Sequence, residues 1–424
     1  MKIKIQKLKI DDDITFILMI MFSCMFLEMV IGISSSIYFI IDFFLLFISV
    51  KKSKKLVKFF NEKNNLMFLL IVIMMLIGSF IGALVNHVPA LNVIYGLHRY
   101  YRGLLFFFCC LACVTPKSIR KTIVLLKYIF WLNVVITLFQ FIVGGYRRDF
   151  LGGVFGTKAG VNQYTNLFFV IISILCIVAV FTKKRQFSEV KGYILSMLLI
   201  AALAEIKFYF FEVLLITVLT FLFTKKDLKL FFLLIVFVVA IIIGYKILLT
   251  YFPEFSNLLL VIVKGGLEKL VDLQRHYSND YDIGRAVVFE YVNKNFFVNE
   301  FQKCFGLGMG KIASSRFVDN SFFYVNKISH YDAFYFCYLY IEQGIWGFIC
   351  FVMFLLSIFI IGFKHISKLT QKYTALLCIL ISVLMFFLFI YDMSLQGQMV
   401  FIAYWMMAAA VYSLRSGDGM DLLI

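Results

Sequence analysis

The chain has 424 residues, 62% of them hydrophobic and only 15% charged, with a formal net charge of +17. Its mean hydropathy of +0.94 lies far above that of a soluble globular protein, which excludes that class. The positive charge does not indicate a nucleic-acid partner, because the basic residues fall mainly in short loops on alternate sides of successive apolar runs, as the positive-inside rule expects.

Apolar runs of roughly 17–25 residues match the bilayer-spanning length. The expected fold class is therefore all-α: one polytopic membrane domain over residues 1–424, with about twelve spans. The basic N-terminus (Lys2, Lys4, Lys7, Lys9) precedes a strongly apolar run with no small-x-small cleavage site, which reads as a retained first span. The stretch 14–50 is too long for one helix and breaks near Gly32–Ser36, predicting two short spans. KKSKKLVKFFNEKNN is strongly basic and reads as cytoplasmic. A third span covers 66–85 and is followed by an outer loop, NHVPALNVIYGL. The fourth starts near His98-Arg99 and runs to Val114, with Arg99 and Arg102 in its outer turns. The fifth covers 122–143.

Spans six to eight are expected at 164–181, 192–206 and 209–224, and span nine at 230–250. A large extracytoplasmic loop then occupies 251–332. Spans ten to twelve follow at 345–363, 373–391 and 399–414. With this count every basic loop and both termini lie on the cytoplasmic side. The long loop supplies Arg275, His276, Asp280, Asp282, Arg285, Glu290, Arg316, Asp319, His330 and Asp332, enough polar chemistry to close over a water-facing site at the outer face. Most of the 9 Cys lie inside apolar runs, so no disulfide framework is expected. Cys109-Cys110-x-x-Cys113 sits within a span with no His or carboxylate beside it and reads as packing; no spacing predicts a metal site.

Four groups carry candidate chemistry, each beside a plainer reading. Glu205 and Lys207 separate two apolar runs, where ionisable groups are costly and mark a site, or else form a wet outer hairpin. Glu212 is placed to pair with Lys207 inside the bundle. Arg147, Arg148 and Lys158 are basic on the side where basic residues are disfavoured. The glycines around them (Gly152, Gly153, Gly156, Gly160) would let backbone N–H groups approach a phosphate; the plainer reading is a flexible loop. Arg285 precedes a run in which Val288, Val292 and Phe296 recur every fourth residue. With Asp282 as N-cap, Arg285 falls in the first helical turn and would share an anion with the free N–H groups, or pair with Asp282. His330 and Asp332 suit a general base, or an interfacial hydrogen bond. Gly306-Leu-Gly308-Met-Gly310 lacks the strand–turn–helix setting of a dinucleotide fingerprint and reads as a tight turn back to the bundle.

These motifs also occur in a familiar order. GR before an aromatic helix, then GLGMG, a His/Asp position and EQGIWG before a span resembles the O-antigen polymerase and ligase superfamily, as does RRDFLGGVFGTKAGVNQ before span six. The resemblance covers the topology and roughly residues 145–365. It implies a GT-C-like glycosyltransferase of the bacterial cytoplasmic membrane that needs no cofactor and takes an undecaprenyl-diphosphate-linked oligosaccharide as donor. Membrane lipid and a chain-length regulator are the further partners it implies. Carried onto this chain, Arg148, Arg285 and Lys207, with Arg147 and Glu205 beside them, would form the diphosphate site. His330 or Asp332 would take the proton from the acceptor hydroxyl. His330-Tyr-Asp332 replaces the His-Asn pair of ligases, which favours the polymerase; ligase and lipid-linked oligosaccharide transporter are the alternatives.

Overall fold

The computed structural model describes residues 13–61, 65–224, 283–315 and 318–416, with positions 232, 235 and 239. Most of the expected ninth span, the first part of the long loop (251–282), and the candidate residues Arg275, His276, Asp280, Asp282 and Arg316 lie outside them. Every helix and 3-10 turn that follows is drawn from the described residues, which contain no strand. A helix satisfies its own backbone, which an apolar solvent demands.

The helices are α1 (Asp13–Ile31), α2 (Phe39–Lys51), α3 (Ser53–Asn61), α4 (Leu66–Val85), α5 (Ala90–Cys113), α6 (Pro116–Ile142), α7 (Asn162–Phe181), α8 (Phe187–Leu203) and α9 (Lys207–Phe223). After position 283 come the short α10 (Val288–Asn295), α11 (Glu300–Phe305) and α12 (Ser321–Asn326), then α13 (Tyr335–His365), α14 (Lys372–Tyr391) and α15 (Val400–Ser416). Five of them, α4, α6, α7, α13 and α14, are long and apolar enough to cross a membrane, and α15 is a shorter apolar helix. This is an α-helical membrane protein. α7 is buried from Thr165 to Phe181, as a helix apolar on all sides should be. α4 and α6 instead expose Leu70, Ile77, Leu84, Leu132, Val135 and Phe139, the faces that lipid would cover.

Contacts between helix ends sort the chain into two poles. At one, Lys51 and Lys52 pair with Asp13, Arg415 bonds Asn65, and Gln371 donates to the Leu414 carbonyl at 3.1 Å. The short basic loops gather here. The start of α6 shows how their ends are fixed: Thr115 Oγ1 accepts from the Ser118 N–H at 3.2 Å, Ser118 Oγ accepts from the Thr115 N–H at 2.8 Å, and Pro116 opens the helix. Thr115→Ala is expected to cost about 1 kcal/mol, read as a lower thermal midpoint of the purified protein.

The other pole differs from expectation in three places. α5 begins at Ala90, well before the expected start of span four, because Pro89 caps it in extended conformation and Asn92 is held by the long loop. His98, Arg99 and Arg102 thus stand mid-helix rather than in outer turns. Arg285 lies in a 3-10 turn, Arg285–Val287, ahead of α10 rather than in the helix's first turn; the periodic face is as read, with Val288 and Val292 buried. Glu212 does not pair with Lys207, whose ammonium lies 2.6 Å from Glu205 Oε1; the fully buried Glu212 carboxyl faces Asn166 of α7 instead.

α13 is broken at Gly344 (φ 61°, ψ −162°), immediately before the expected start of span ten. An unbroken helix would bond the Ile341 and Glu342 carbonyls to the N–H groups four residues on. Here they accept instead from Leu307 N at 2.8 Å and Gly308 N at 3.0 Å. The GLGMG strip makes the expected turn, with Lys311 N–H bonded to the Gly308 carbonyl at 3.1 Å, and is also set into the break, with Gly310 against the Asn92 backbone and Gly344 against that of Cys304. Buried backbone groups seldom go unpaired, and this strip supplies the partners that the break removes.

Candidate functional site

A cavity of about 590 Å³ opens at the pole opposite the basic loops, and α5 forms one wall. Tyr95, Arg99 and Arg102 are four and three residues apart, so they share a helix face. All three line the cavity, with His98 beside them. Arg99 donates to Tyr338 Oη at 2.6 Å and to Gln396 Oε1, and its guanidinium lies 4.5 Å from the Tyr338 ring centre. Arg102 is 3.9 Å from Asp42 of α2, whose other oxygen is 2.6 Å from His98 Nε2. Fully buried Glu342 sits behind Arg99, feels its charge, and accepts the Ile312 N–H at 3.1 Å.

The facing wall comes from the first glycine-rich segment and α1. Residues from Phe155 to Val161 border the cavity, with Lys158 paired to Glu28 at 2.6 Å. Tyr38 Oη donates to the second Glu28 oxygen at 2.6 Å. The late part of the long loop contributes Ile312, Ser314, Ser315, Phe323, Tyr331 and Asp332. The cavity thus combines cations from α5 and the 156–161 segment with a carboxylate from the loop.

The candidate residues divide between this cavity and a second cluster. Asp332 lines the cavity, whereas His330 is exposed in a left-handed turn (φ 45°) and does not line it. Arg148 Nε and Lys207 Nζ both reach Glu205, at 3.3 and 2.6 Å, making one ion cluster. Next to Lys207, Phe208 stacks on Tyr391 with ring centres 3.9 Å apart. Arg285 lies over the same Tyr391 ring at 4.8 Å and donates Nε–H to its carbonyl at 2.8 Å. The stack therefore brings Arg148, Glu205, Lys207 and Arg285 to one neighbourhood. Arg147 turns away, its guanidinium 3.8 Å from the Phe141 ring and bonded to the Tyr146 carbonyl at 2.8 Å. Among the described residues five non-glycines have positive φ, and Arg148, Glu205 and His330 are three of them; such backbone strain concentrates at functional positions.

The glycine-rich segment does not present a row of free amides. Gly153 N–H donates to Gln140 Oε1 and Val154 N–H to Asn133 Oδ1, each at 2.8 Å, so α6 side chains occupy the place foreseen for a phosphate. Between cavity and cluster runs the turn 392–399. Its Met393 N–H donates to cavity-lining Gln163 at 3.0 Å, and its Asp392 feels Arg285. Burial pushes the Asp392 carboxyl up to about 6, against the pull of Ser394, Arg285 and Asn166. Asp42, Glu28 and Glu342 are the site residues the sequence reading passed over. Each is a lone carboxylate in or beside an apolar run, which is itself a signal of buried polar function.

Compared with known proteins, the chain matches no protein-family model and no curated protein.

Proposed function

We propose that the chain is a polysaccharide repeat-unit polymerase, transferring glycan from an undecaprenyl-diphosphate-linked donor to a hydroxyl of a second lipid-linked unit at the outer face of the bacterial cytoplasmic membrane. The observation that carries the reading is the cavity itself: it is large enough for sugar rings, is lined by aromatic side chains, and places Arg99, Arg102 and Lys158 in the same space as the Asp332 carboxylate. A carboxylate that shares a cavity with held guanidinium groups suits a reaction in which an anionic leaving group departs as a hydroxyl loses its proton. The positive-inside rule puts the basic pole in the cytoplasm and the cavity outside.

In this reading Asp332 takes the proton from the acceptor hydroxyl as the sugar carbon–oxygen bond forms. The bond from that carbon to the lipid diphosphate breaks, and the departing negative charge is met by fixed cations. Arg99 holds this place inside the cavity. Arg148, Lys207 and Arg285 form a second cationic patch across the 392–399 turn, suited to the diphosphate of a lipid arriving at the bundle surface. His330 falls to a supporting position, since it does not line the cavity.

The test is incubation of the purified protein in lipid with an undecaprenyl-diphosphate oligosaccharide, read on a gel. A ladder of products is expected, with Asp332→Asn lowering its rate about 100-fold and His330→Ala less than tenfold. Glycosylation of an added acceptor glycolipid without a ladder would transfer the reading to a ligase. Transport of the lipid-linked glycan is the second reading, favoured by the fully buried Glu212 carboxyl inside the bundle. Movement of labelled lipid-linked glycan across vesicles with no new glycosidic bond would establish it.

A further inference from the structure

The basic pole has a cavity of its own, of about 170 Å³. Asp13 of α1, Lys52 and Lys55 where α2 passes into α3, and Thr115, Lys117 and Lys121 at the start of α6 line it. The positive-inside rule accounts for lysines at this pole, but not for their gathering around one space from segments far apart in sequence. Asp13 is the one acidic residue of that lining, and it is already engaged, 3.3 Å from Lys52 and 3.5 Å from Lys51. Among the described residues neither Lys55 nor Lys117 forms an ion pair. Four lysines thus share the cavity with a single carboxylate. The positive end of the 27-residue α6 opens on the same space and adds to the field of the lysines. Such an excess of cations calls for an anion, and ammonium groups bind phosphate as point charges.

The surface beside the cavity identifies the source of that phosphate. α2 exposes Phe43, Leu46, Phe47 and Val50, an apolar face that acyl chains would cover in a membrane. Lys51 joins this face to the cavity, its ammonium 6.0 Å from the Phe47 ring centre and 3.5 Å from cavity-lining Asp13. An apolar strip and a cationic cup therefore lie side by side, as the chains and headgroup of a phospholipid do. α3 has the build of a helix lying in the headgroup layer: Leu56, Phe59 and Phe60 pack against the bundle, while Lys54, Lys55 and Lys58 are exposed.

We propose that this cavity binds the headgroup phosphate of an anionic phospholipid of the adjoining leaflet, with Lys52, Lys55, Lys117 and Lys121 around the phosphate and the acyl chains along α2. Basic pockets between helices at the cytoplasmic side suit such headgroups. The site stands apart from the cavity at the other pole, and its occupancy does not depend on what reaction occurs there.

The test uses the full-length protein, stripped of lipid in detergent and titrated with phosphatidylglycerol, phosphatidylcholine or soluble glycerol 3-phosphate. Phosphatidylglycerol is expected to raise the thermal midpoint saturably by several degrees, and the other two to leave it in place. The paired substitution Lys55→Glu with Lys117→Glu alters two exposed residues and should fold, but should need roughly tenfold more phosphatidylglycerol, or more, for half the shift. Lys54→Glu with Lys58→Glu makes the same change of net charge outside the cavity and should keep the wild-type response. Native mass spectrometry of the wild-type protein gives a readout free of any variant, with one phosphatidylglycerol retained per chain in preference to phosphatidylcholine. Equal midpoints in the two lipids with no preferential retention would overturn the proposal. Equal loss of response in both paired variants would overturn the cavity as the site, and an equal saturable shift with glycerol 3-phosphate would overturn the lipid as the ligand.

Discussion

Gly344→Ala is expected to lose about 3 kcal/mol of stability or more and to yield little folded protein. With φ at 61° and ψ at −162°, the residue lies in a region that is essentially reserved for glycine. An added methyl group would also meet the Cys304 carbonyl and the Gly306 amide, both backbone atoms that cannot rotate away. Moving them would detach the strip whose Leu307 and Gly308 N–H groups satisfy Ile341 and Glu342. Gly145 is the control: its φ of 68° is similar, but nothing lies within 4 Å of an added Cβ. Gly145→Ala should cost only about 1 kcal/mol, the backbone part of the effect. Detergent-solubilised yield and thermal midpoints of the two variants, side by side, separate backbone strain from the lost docking of the strip. Equal midpoints would mean that the break tolerates displacement of the strip.

Arg99→Ala is expected to lower glycosyl transfer by about 100- to 1,000-fold, the scale on which a preorganised charge group acts on a reacting centre. It should also lower stability by about 2–3 kcal/mol, because two charge-assisted hydrogen bonds, to Tyr338 and Gln396, disappear together. Buried Glu342 would lose the positive charge in front of it as well. Arg99→Lys separates these effects. An ammonium keeps the charge but cannot reach Tyr338 and Gln396 with one planar fork. Its stability should recover in part, and its transfer rate should stay at least tenfold down. Rates measured on the lipid-linked substrate, beside thermal midpoints of the same preparations, check both. A full rate in Arg99→Ala would remove the cavity from the proposed chemistry.

Much of the helix layout was readable because basic loops punctuate apolar runs. α14 begins one residue from its expected start, and α7 two residues from its own. The interruption between α1 and α2 falls at the Gly32–Ser36 stretch, where small residues end the apolar pattern. α5 shows where that method fails. In the sequence alone, His98, Arg99 and Arg102 mark water, and so the mouth of a span. In the fold they mark a polar cavity enclosed by other helices, which linear hydropathy does not distinguish from solvent. The spacing of Tyr95, Arg99 and Arg102 on one helix face carried the missing information, as did the charge of Asp42 in the apolar first part of α2.

The candidate site was legible in part for a related reason. Charge at the end of a span drew attention to Lys207, Glu205 and Arg148, and the fold joins these into one ion cluster. No local pattern could reveal that Phe208 and Tyr391 stack, since their approach depends on how α9 and α14 pack. The glycine-rich segment misled because free amides were inferred from glycine alone. Whether such amides remain free depends on neighbours such as Gln140 and Asn133, which belong to a different helix.

The glycine strip set into α13 also bears on how a substrate could enter. A flap that swings clear needs a flexible attachment held by side chains. This loop is riveted at 307–308 by main-chain bonds to a transmembrane helix. Opening the cavity by lifting that part of the loop would unpick the helix as well, so traffic has to pass through smaller gates: rotations of side chains at the rim, such as Phe323, or sideways entry between helices from the bilayer.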